Sequence, residues 1–130
     1  MMEESINRQE EMFLSFRASG LDYVLPLSDI GQIAAVSPEG IPEIPLAGPS
    51  DPEKCAVVFQ DGEGLSSLLV GKIAGLIQLP PASQFAIPQA AKSRENSWIA
   101  GIACPESSGS LYYLLDSRKL RDALSGGRNG

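Results

Sequence analysis

LSSLLVGKIAGLIQL, residues 65–79, is a long apolar run broken by Gly71 and Gly75. Its length suits a helix, but two internal glycines cost a helix roughly 1 kcal/mol each. The β-branched Val70, Ile73 and Ile77 favour strands, with the glycines marking a bend or a bulge. Pro80 and Pro81 end the run. Read as strands, it makes the chain a mainly β protein.

Upstream, KCAVVFQ is a further strand and DGEG the turn that joins it to the run. MFLSFRA alternates, with Met12, Leu14 and Phe16 on one side and Phe13, Ser15 and Arg17 on the other, which predicts a strand with one buried face. ASGLD supplies a turn with Gly20 free to take positive φ, and YVLPL resumes extended structure, Pro26 placing it at an edge or near its end. Ser28 or Asp29 caps a short helical turn from Asp29 to Ala35 that presents Ile30 and Ile33 together. Pro38, Pro42, Pro45, Pro49 and Pro52 then define an extended connection over the surface. Downstream, an irregular stretch reaches Asn96, and SWIAGIAC and SLYYLLD are the last strands. The total is about six or seven short strands, the pattern of a barrel-like domain. Residues 11–124 form one domain, with a polar extension at 1–10 and a flexible tail at 125–130.

Composition narrows the function. The 130 residues suffice for one core without disulfides or metal. Ten basic against sixteen acidic residues, a net charge of −6, argue against nucleic-acid binding. The absence of a long apolar span and of a signal-type start predicts a cytoplasmic protein with no membrane insertion. With no histidine, neither a Cys–His nucleophile nor a zinc site of about four ligands can be assembled, so no catalytic residue, metal or cofactor is assigned. Cys55 and Cys104 read as small buried apolar side chains. Asp116, between SLYYLL and SRKLRDAL, is read as the cap of a C-terminal helix whose Leu120 and Leu124 share a face, rather than as a catalytic acid.

The ordered set of motifs resembles the CheW-like family, comprising the chemotaxis adaptor CheW and the regulatory domain of CheA kinases. FRASGLDYVLPLSDIGQI resembles its opening hairpin and VxEI-type segment, LLVGKIAGLIQL its VVDxVxxVLxL strand, WIAGIA its YIxGI, and SLYYLLDSRKL its RLxxLLDxxKL. The family's GxINLRGxxxPVxDLR block is missing, because EIPLAGPSDPEK runs directly to the strand at Cys55; Gly71 replaces the VD aspartate and Gln32 a frequent glutamate. The resemblance implies a pair of small SH3-like β-barrel subdomains, the first truncated, with short helices after the second strand and at the C-terminus.

It also implies a non-enzymatic adaptor that couples a CheA-type histidine kinase to methyl-accepting chemoreceptors. The partner-binding positions carried over are Ile30, Gln32 and Ile33, with Val70, Ile73 and Leu76 on the matching strand. The missing block predicts open ladder edges, hence either self-association or coverage by the proline segment. A rival reading is a small-molecule sensor with a pocket lined by Phe85, Trp98, Tyr112 or Tyr113.

Overall fold

The computed structural model describes residues 12–87, 97–105 and 109–124, and the side chains of these through Leu120. The extension at 1–10 and the tail at 125–130 lie outside the described residues, as does the side chain of Leu124. Strands β1 (Met12–Ala18), β2 (Leu21–Pro26), β3 (Ile30–Ala34), β4 (Glu43–Pro45), β5 (Cys55–Gln60), β6 (Leu65–Val70), β7 (Lys72–Gln78), β8 (Gln84–Ala86), β9 (Ile99–Ala103) and β10 (Tyr112–Leu115) precede helix α1 (Ser117–Leu124). The chain is mainly β, as expected.

Its hydrogen-bonded strands form two open mixed sheets rather than closed barrels. One has the order β7-β1-β2-β10-β9-β8 and the other β3-β5-β6-β4. The four-stranded sheet is thus a continuous insert between β2 and β7. The chain enters it through a 3-10 turn at Leu27–Asp29 and leaves it at Gly71. Most pairs are antiparallel; β10 with β2 and β4 with β6 are parallel.

The main core lies between the sheets. Leu14, Phe16, Tyr23, Leu25 and Leu115 from the first meet Ile44, Val57, Phe59, Leu68 and Val70 from the second, with Leu120 of α1 among them. Burying such side chains contributes about 1.5–3 kcal/mol each. A smaller cluster, Phe13, Val24, Leu79 and Ala103, lies on the other face of the first sheet. Because β1 sits between β2 and β7, its alternation does not separate a buried from an exposed face: Phe13 and Ser15 are buried as well as Leu14 and Phe16.

Three strands escape the sequence pattern. Residues 30–34, expected as a helical turn, are β3, paired with β5 from Ile30↔Phe59 to Ala34↔Ala56. The helical turn is confined to Leu27–Asp29, and cross-strand pairing overrides the i, i+3 spacing. The proline segment contributes β4, whose Ile44 is fully buried. An edge strand needs ladder bonds on one side only, so it tolerates Pro45. Strand β8 is three residues long, too short to leave a periodic signature.

The run at 65–79 divides as its glycines imply. Gly71 separates β6 from β7, and the β1–β7 register passes from Ser15↔Gly75 to Phe16↔Ile73, leaving Ala74 as the bulged residue. The two glycines serve different needs: Gly75 has φ +138°, whereas a Cβ on Gly71 would lie 2.7 Å from Asp51 Oδ1 and 2.9 Å from the Arg17 carbonyl.

Candidate interaction edges

The six positions expected to bind partners fall on one edge strand of each sheet, β3 and β7, and on β6, an interior strand of the four-stranded sheet. On β3, Ile30 is partly buried against the main core, while Gln32 and Ile33 are exposed, Ile33 at 48%. Gln32 pairs with Val58 and Ile33 with Val57. On β7, the other edge, Ile73 packs partly against the core and Leu76, opposite Leu14, is 57% exposed. Val70 is fully buried in the four-stranded sheet and supports the core in this chain. The accessible apolar surface at these positions is therefore carried by Ile33 and Leu76, with Gln32 the polar group beside the first.

Sequence reasoning missed Val36, which is 73% exposed just past the end of β3. Its only sequence signal was an apolar residue immediately before Ser37-Pro38, at the start of a loop.

Asp116 behaves as punctuation. Its Oδ1 accepts the Arg118 N–H at 3.0 Å, and its carbonyl accepts from Lys119 and Leu120 at 3.1 Å, opening α1. A second carboxylate, which no local pattern could reveal, reaches the same helix end. The Ser117 hydroxyl donates to Asp29 Oδ2 at 2.6 Å, tying the 3-10 turn between the sheets to α1. Asp29 thus serves the C-terminal helix rather than capping a helix of its own.

The aromatics proposed for a pocket are divided by strand alternation. Tyr113 and Trp98 pack on Tyr23, with ring centroids 5.8 and 6.1 Å away, and Phe16 stacks on Tyr23 at 6.1 Å. Burial, and then the neighbouring Tyr113, push the Tyr23 phenol up from its ordinary value. Tyr112 instead faces the smaller cluster, and Phe85 is exposed on β8. Tyr112 and Tyr113 therefore do not line one cavity.

The cysteines differ from expectation too. Cys55 is half-buried against the main core, with its thiol pushed up by burial and by Glu53, and Cys104 is exposed. Cys55 opens β5, and Cys104 directly follows β9. Among the described residues, no three His, Cys, Asp or Glu side chains are grouped to hold a metal ion, and no helix is long and apolar enough to cross a membrane.

Neither a protein-family model nor a curated protein matches the sequence. Among solved structures, the fold is similar to that of the scaffolding protein CheW from Thermoanaerobacter tengcongensis, with a TM-score of 0.67 over 85% of this chain and 92% of that one, at 15% identity. This chain has a CheW-like fold. The motifs that carry the CheW-like resemblance fall on successive elements of this fold: the VxEI-type segment on β3, the apolar run on β6 and β7, YIxGI on β9 and RLxxLLDxxKL on β10 and α1.

Proposed function

We propose that this CheW-like domain is a non-catalytic cytoplasmic adaptor that couples a CheA-type histidine kinase to methyl-accepting chemoreceptors. The observation that carries the reading is the CheW-like fold. In its support, the segment matching the family's receptor-facing motif lies on an edge strand, with Gln32 and Ile33 exposed. An edge strand offers a partner both unpaired backbone and side chains, and an exposed aliphatic beside a polar amide suits a modest protein interface. Leu76 on β7 supplies a second, apolar contact. With the arginine-bearing block missing, the domain is a specialised adaptor, engaging its partners through these two edges.

The test is titration against the regulatory domain of a CheA-type kinase from the same organism, beside a Gln32→Arg variant. Saturable binding weakened by the variant is expected. No binding at about 100 micromolar, which corresponds to roughly 5 kcal/mol, overturns the kinase-coupling reading.

A further inference from the structure

The two neighbours of β6 are unequal. On one side β5 pairs with all of β6, from Cys55↔Val70 to Gln60↔Leu65, and buries Ala56, Val57, Val58 and Phe59. On the other, β4 contributes three parallel pairs, Glu43↔Ser67 to Pro45↔Leu69. Beyond these, Ser67 N–H donates to the Pro42 carbonyl at 2.8 Å, and Leu46 and Ala47 N–H both donate to the Leu69 carbonyl. Only Ile44 of this segment is fully buried.

Its remaining polar anchors are exposed or part-buried. The Ser37 hydroxyl meets Glu43 Oε2 at 2.6 Å and the Ser67 hydroxyl at 2.8 Å, while Asp51 Oδ2 accepts Ser19 N–H and Gly48 N–H at 3.1 and 2.9 Å. A segment held by one fully buried side chain, the partly buried Leu46 and a few exposed or part-buried hydrogen bonds opens at lower free energy than the fully paired ladder beneath it.

We propose that residues 37–54 form a strap that opens as a unit, and that its closure keeps the β6 edge from pairing with the same edge of a second copy of this chain. The strap itself is blunted for pairing, since β4 is flanked by Pro42, ends in Pro45 and carries Glu43. The strand under it is not: LSSLLV has neither charge nor proline. Lifting the strap leaves Ser67 N–H and the Leu69 carbonyl unpaired and empties the place of Ile44. A second β6 arranged antiparallel about a two-fold axis satisfies both edges at once, with no like-charge repulsion along the pair. This device goes beyond the adaptor reading and does not rest on it.

The test uses the full chain and a Ser37→Ala/Asp51→Ala variant, which loosens the polar anchors and leaves Ile44 in place. In NMR-detected hydrogen exchange, the Leu46, Ala47 and Ser67 amides should exchange together, ahead of the β5–β6 ladder, and about tenfold faster in the variant. Sedimentation equilibrium should show a dimer fraction that is larger in the variant at equal concentration. Strap amides that exchange only with the ladder overturn the proposal. So does accelerated exchange in a variant that stays monomeric, or dimerisation equal in both proteins. Should the double variant unfold, Ser37→Ala alone, a change in a surface loop, carries the same two readouts.

Discussion

The two halves of one apolar run meet opposite fates. In β6, Ser66, Ser67, Leu68 and Val70 are buried; in β7, Lys72, Ala74, Leu76 and Gln78 are exposed, and Ile73 and Ile77 only half-buried. Composition does not distinguish them, since the buried half holds two serines and the exposed half two isoleucines and a leucine. Position in the sheet does: β6 lies between β5 and β4, while β7 closes an edge beside β1. Apolar character thus measures what a strand is able to bury, and neighbour count decides what it does bury.

Substitutions along the run test that contrast. Leu68→Ala should destabilise most, by about 2–5 kcal/mol in urea unfolding, because the side chain is fully enclosed between the sheets. A loss below about 1 kcal/mol would place β6 outside the cooperative core. Gly71→Ala should cost about 1–3 kcal/mol through collision with Asp51 and the Arg17 carbonyl. Adding Asp51→Ala should relieve only part of this, as the backbone oxygen stays in place, and a double-mutant cycle reads the coupling. Gly75→Ala meets no atom of the described residues within 4 Å and is strained through its φ, so about 1 kcal/mol is expected, unaffected by Asp51→Ala. Leu76→Ser should change stability by less than about 0.5 kcal/mol while weakening binding to the kinase domain; unchanged binding would remove β7 from the proposed interface.

Much of the fold was legible where chemistry is local. The glycines of the run read as a bend or a bulge, and the chain has a break at Gly71 and a bulge beside Gly75; Asp116 read as a cap because its partners lie within the next four residues. What the sequence hid is non-local. The i, i+3 spacing of Ile30 and Ile33 suits a helical turn as well as a bulged strand, and only pairing with β5 decides. Ile44 looked like surface among prolines because nothing nearby announces the socket it fills. At the candidate edges, the sequence treated Val70 and Leu76 alike, and they are told apart only once Gly71 sends them to different sheets, Val70 buried and Leu76 exposed. Asp29 and Ser117 share no motif and meet only in the folded chain.

The parallel pairing of β10 with β2, Tyr113 beside Tyr23 and Leu114 beside Val24, bears on how the molecule is made. The four-stranded sheet comes from one continuous stretch of chain and is complete once β6 has left the ribosome. The six-stranded sheet is not: β2 precedes all four strands of the other sheet, yet β10, the strand that covers its inner edge, follows all of them. Contacts this distant in sequence slow folding and leave an unfilled slot beside Val24 until β10 is made. The half-made protein therefore carries its greatest risk of misassociation at β2, deep in what becomes the centre of the finished sheet, and that risk ends only when β10 arrives.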